Sequence, residues 1–101
     1  KVIRRGKVFD IIDYKTNKKL VYYGFLGETM KAPLDHYQNA NFWHYTLQLS
    51  LYAWIISSYG YEVGDLTIAY IYGDNDDKIQ MIPVEYRKKD IELMLEDYAS
   101  I

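Results

Sequence analysis

The sequence predicts a single α/β domain in which a mixed β-sheet is flanked by helices. Three observations lead there. Apolar and polar residues alternate with a period of two near the N-terminus and again over residues 66–84, the rhythm of strands with one covered face. Residues 42–59 read as one long helix between these strand regions. The chain has 101 residues, half of them hydrophobic, which is enough for one small core and too little for two.

Residues 1–5 and 7–14 read as two strands of a hairpin around Gly6, the residue type that takes a tight turn's positive φ without steric cost. Asn17, Lys18 and Lys19 interrupt the pattern, and residues 20–25 read as a short further strand or an extended segment. Residues 27–40, which include Pro33, read as a loop, with Asp35, Asn39 and Asn41 as the candidate caps of the helix that follows. That helix, residues 42–59, should stop at Gly60, the residue favoured just past a helix C-terminus. Residues 66–72 alternate as a strand, the run GDNDD turns the chain, and residues 78–84 return beside it. Residues 87–99 carry Ile91, Leu93, Met94, Leu95 and Tyr98 among charges, as a closing amphipathic helix does. With no repeat, low-complexity tract or linker, residues 1–101 form one expected domain.

Composition narrows the function. A net charge of −2 excludes a global basic field but leaves room for a local basic groove. The absence of cysteine rules out a disulfide framework, a thiolate zinc site and an iron–sulfur cluster. No apolar run reaches the length of a membrane span, and no signal-peptide pattern is present. Twelve tyrosines and two tryptophans supply large contact areas with polar tips, suited to a core with wet edges. The first residue is Lys1 rather than Met, which admits an upstream segment.

The run IIDYKTN, residues 11–17, raises the sharpest question: why an apolar strand ends in an aspartate and a lysine. Strand alternation puts Phe9, Ile11, Asp13 and Lys15 on one side and Val8, Asp10, Ile12 and Tyr14 on the other, so the opposite charges extend an apolar face. A solvent-exposed ion pair there would contribute little. The functional reading is a carboxylate as a hard oxygen ligand for a divalent cation, with an ammonium beside the reacting group. On the long helix, Thr46, Ser50, Ala53 and Ser57 share one face, while Tyr45, Gln48, Leu51, Tyr52, Ile55 and Tyr59 share the opposite, more apolar arc. If that arc packs on the sheet, the Gln48 amide needs a specific partner, and Tyr52 stands one turn away.

An Asp-x-Lys at the end of an apolar strand, followed by a helix bearing Gln-x-x-x-Tyr, resembles the PD-(D/E)XK nuclease superfamily in its RecB-like, phage-type branch. The matching residues are Asp13, Tyr14 and Lys15, then Gln48 and Tyr52, and the likeness extends from residue 7 to about residue 71. The resemblance implies a restriction-endonuclease-like sheet and metal-dependent cleavage of DNA, in a bacterial or phage recombination or repair setting and a cytoplasmic location. By the same resemblance, Asp13 and the backbone carbonyl of Tyr14 would bind Mg²⁺ or Mn²⁺. Lys15 would act on the water and the phosphate, and Gln48 and Tyr52 would contact DNA or brace the site.

One departure stands out. The family also uses an aspartate on the preceding strand and commonly an acid or histidine further upstream, and residues 1–5 contain no acid. Asp10 points away from Asp13 by alternation and does not replace it. The chain therefore reads as the C-terminal portion of such a domain, inactive by itself. The rival reading is a noncatalytic module on the same fold that binds nucleic acid or protein, and a third is an assembly module using its tyrosine-rich surface. His36 and His44 have no partner at ligand spacing and are expected in surface or capping roles. GDNDDK lacks the glycine and distal glutamate of a calcium loop. Lys18, Lys19, Arg87, Lys88 and Lys89 are expected to keep a face soluble.

Overall fold

Gly6, at φ 64°, folds strand β1 (Val2–Arg5) back onto β2 (Val8–Thr16) as an antiparallel hairpin. Helix α1 (Asn41–Ser58) then carries the chain to β3 (Glu62–Tyr72), which pairs with β2 in parallel, since parallel neighbours require a crossover of this kind. Strand β4 (Lys78–Val84) returns antiparallel to β3, and α2 (Lys88–Ala99) closes the chain against α1. The computed structural model describes residues 1–16 and 20–99; Asn17, Lys18 and Lys19 lie outside the described residues. The four strands form a mixed sheet in the order β1-β2-β3-β4, flanked by the two helices, with elements in the predicted sequence.

β3 starts earlier than the alternation of residues 66–72 suggests: Glu62 and Val63 already pair with Val8 and Phe9, and the Glu62 N–H donates to Lys7 O at 2.8 Å. The β2–β3 register slips between Phe9 and Ile11, and the Asp65 N–H donates to Asp10 Oδ1 at 2.7 Å. A side chain on Gly64 would put its Cβ 2.1 Å from that oxygen, so only glycine lets the carboxylate reach the neighbouring strand. Arg5 closes on the same carboxylate at 2.8 and 2.9 Å. These bonds hold the Asp10 carboxyl below the usual aspartate range.

The start of α1 differs from the expectation. Ala40 occupies the cap position and no side chain bonds the helix end, so Asp35, Asn39 and Asn41 do not cap it. The free donors are met by backbone: Phe42 N–H donates to Val21 O (3.0 Å), and Trp43 and His44 N–H both donate to Ala40 O. Asn41 Oδ1 instead accepts the Val21 N–H at 2.7 Å. Residues 20–24 thus form no strand; they are latched across the first turn of α1, and a 3-10 turn, Phe25–Gly27, follows. The other end matches expectation, with Gly60 at φ 89° donating to Ser57 O.

The expected packing face of α1 is reversed. Its buried residues are Thr46, Leu47, Leu49, Ser50 and Ala53. Leu49 and Ala53 pack with Ile11, Leu66, Ile68 and Tyr70 on the sheet. Small residues let the helix backbone approach the sheet closely, and their polar atoms are satisfied locally: Thr46 Oγ1 donates to Phe42 O and Ser50 Oγ accepts the Arg87 N–H. A second cluster joins Leu47 to Ile91 of α2 and to Met30 and Tyr37 of the loop. The far side of the sheet carries Tyr14 and Met81 in register across Ala69, both about half exposed. Neither helix is long and apolar enough to cross a membrane.

Candidate functional site: a cleft beside the end of strand β2

Ile11 packs beneath α1, and two-residue alternation carries that face forward to Asp13 and Lys15 near the C-terminal end of β2. The Lys15 ammonium lies 3.2 Å from Asp13 Oδ2, each side chain about one quarter exposed, and 4.8 Å from the centre of the Tyr45 ring. The cation therefore bridges the strand and the first turns of α1. Gln48 follows Tyr45 by one turn on the same side of the helix, and its Nε2 donates to Tyr52 Oη at 3.3 Å. Lys15, Tyr45 and Gln48 line one cleft of about 760 Å³. The outcome differs from the route expected to lead there: Tyr45 packs on the sheet cluster, Leu51 on the cluster of the loop and α2, and Gln48 between them is half-buried at the cleft.

The loop before α1 forms the opposite wall. Glu28, Lys31, Asn39 and His44 line the same cleft, and three of them form a relay in which Asn39 Nδ2 donates to Glu28 Oε1 (2.8 Å) and Asn39 Oδ1 meets His44 Nε2 (2.7 Å). Gly24 fixes this wall, because a Cβ there would sit 2.0 Å from the Glu28 carbonyl oxygen. Sequence reading missed Glu28, Lys31 and Tyr45. Tyr45 alone left a signal, one helical turn before Gln48. The other two are placed by loop contacts that no periodicity reports.

Tyr52 stands at the margin, 45% exposed, and is tied to the site by the hydrogen bond from Gln48. Tyr14 turns its ring to the far side of the sheet. Its carbonyl is better placed: Ile12 exchanges both backbone bonds with Lys1, so alternation directs the Tyr14 N–H and C=O to that same edge, past the residues that β1 pairs. Asp13 Oδ2 is buried with no hydrogen bond among the described residues beyond the charge contact to Lys15. By the family resemblance, that oxygen and the Tyr14 carbonyl would be two ligands of a hard cation. Yet no group of three His, Cys, Asp or Glu gathers anywhere among the described residues, so the donor set present does not fit a resident divalent cation.

His36 binds Asp90 (2.7 Å) and His44 binds Asn39, so neither is a ligand in waiting. Arg87 departs from expectation: it is not a solvated charge but half-buried, its guanidinium about 6 Å from the Tyr37 and Trp43 ring centres. The Tyr37 hydroxyl donates to Asp90 Oδ2 at 2.5 Å, and burial, with that carboxylate second, pushes the phenol's pKa up. Comparison with protein-family models, with curated proteins and with solved structures gives no match to this chain.

Proposed function

We propose that this chain engages DNA phosphates in the Lys15 cleft, as the phosphate-handling part of an Asp-x-Lys nuclease domain. The observation that carries the reading is the convergence of Lys15, from a strand, and Gln48, from a helix, on one cleft that also holds Lys31. Two ammonium groups and an amide suit an anionic backbone, the lysines as point charges and Gln48 as a directional donor, while the Glu28 carboxylate in the same cleft is held by Asn39. Asp13 holds Lys15 in place in the free protein; on the nuclease reading it is also one of the ligands of Mg²⁺ or Mn²⁺. The described residues supply no complete cation site, so no hydrolytic step is assigned to them, and cleavage requires carboxylates beyond Asp13.

The noncatalytic alternative, a DNA-binding module on the same scaffold, is favoured by that same shortage. One experiment separates them. The chain is incubated with linear DNA and Mn²⁺ while binding is followed in parallel. We expect binding without appreciable cleavage, with Lys15→Ala weakening binding. Robust cleavage lost in Asp13→Ala would establish a complete catalytic site and defeat the noncatalytic alternative. Absence of DNA binding would defeat both readings.

A further inference from the structure

A second cleft, of about 640 Å³, opens on the other side of the loop and is lined by Tyr22, Tyr23, Tyr37, Trp43, Arg87 and Asp90 among others. Its walls are aromatic and its polar groups are unequally satisfied. Both Asp90 oxygens are taken, one by His36 and one by Tyr37. Arg87 is different: one terminal nitrogen lies 3.4 Å from Glu85, its side chain is about one-third exposed, and only its Nε is buried. The exposed part of the guanidinium can take an acceptor from a ligand in the cleft. Tyr23 stands 77% exposed at the rim, a ring with a free face.

The two clefts share a wall: Gln38, Trp43 and Asp90 line this one, and their successors Asn39, His44 and Ile91 line the Lys15 cleft. A chain-like ligand that rounds this wall meets both clefts. We propose that the second cleft is a stacking site for an unpaired nucleobase, and that the strand taken up by the Lys15 cleft is single-stranded DNA. This rests on the DNA reading above and specifies its substrate. The base supplies what the cleft lacks: a flat face for Tyr23 and a carbonyl or ring-nitrogen acceptor for Arg87. Bases in a duplex are stacked on one another and offer neither face to a side chain.

The test compares a fluorescently labelled oligothymidylate with a blunt duplex of equal length, both binding the full chain. The single strand is expected to bind more tightly. Tyr23→Ala, at an exposed position that leaves folding intact, should weaken single-strand binding about tenfold, the loss typical of one stacked base, with duplex binding unchanged. Tyr23→Phe should keep the native affinity, and in a Trp54→Phe background oligothymidylate should change the Trp43 fluorescence. The proposal is overturned if Tyr23→Ala and Arg87→Ala both leave single-strand affinity unchanged, or if the duplex binds as tightly as the single strand. Lys15→Ala makes the two readings separable, because it should weaken both DNA forms alike. If it has no effect while Tyr23→Ala does, the phosphate reading fails and the base site stands.

Discussion

The two faces of α1 divide by side-chain bulk more than by hydropathy. The buried face carries Thr46, Ser50 and Ala53 beside Leu47 and Leu49, with Leu49, Ser50 and Ala53 completely buried. The face carrying His44, Tyr52 and Ile55 is exposed, although two of those three are large and apolar or aromatic. The difference shows that side-chain size decided the packing. A helix that crosses closely over β2 and β3 leaves room for hydroxyls and a methyl but not for tyrosines, and the hydroxyls can bond the backbone when water is gone. His44, with its neighbours Tyr45 and Gln48, then walls a cleft.

The largest expected effect comes from setting one leucine on the buried face against one isoleucine on the open face. Leu49 is fully buried against the sheet, so Leu49→Ala should cost about 2–5 kcal/mol in denaturant unfolding. Ile55→Ala should stay within about 0.5 kcal/mol, as surface changes do. Equal losses at the two positions would break the comparison.

The size argument is sharpened by adding bulk. Ala53→Leu on the buried face should destabilise by about 1–3 kcal/mol, because the helix cannot back away without opening the core. An unchanged denaturation midpoint would show that the approach is looser than the packing implies. A smaller effect is expected at Ser50, whose hydroxyl oxygen accepts the part-buried Arg87 N–H between α1 and α2. Ser50→Ala should cost about 0.5–1.5 kcal/mol by removing that bond, despite the better helix propensity of alanine. Ser50→Thr should retain part of the stability, and a neutral Ser50→Ala would remove the hydroxyl's role.

Much of the fold was legible because it is local. Strand period, the Gly6 turn, the Gly60 stop and the closing helix all follow from neighbouring residues. Asp13 and Lys15 were likewise put on the same side of the strand as Ile11 by alternation alone. What failed depends on distant partners. Hydropathy named the wrong face of α1 because it weighs transfer from water and not the separation between helix and sheet. Asn39 and Asn41 have the chemistry of caps, but Glu28, His44 and Val21 claim their side chains first. Arg87 sits in a charged run and looks solvated, while Tyr37 and Trp43, far away in sequence, cover it. The second cleft was illegible for the same reason, being assembled from a loop, α1 and the start of α2.

The central claim is that the open face of α1 and the end of β2 together form a phosphate-binding cleft around Lys15. Its most direct measurement is the salt dependence of DNA affinity in the native protein and in Lys15→Ala. If Lys15 neutralises a phosphate, the variant should bind more weakly at every salt concentration, and its slope of log affinity against log salt should be shallower by about one. An unchanged affinity and an unchanged slope would contradict the claim, leaving Lys15 as no more than the partner of Asp13.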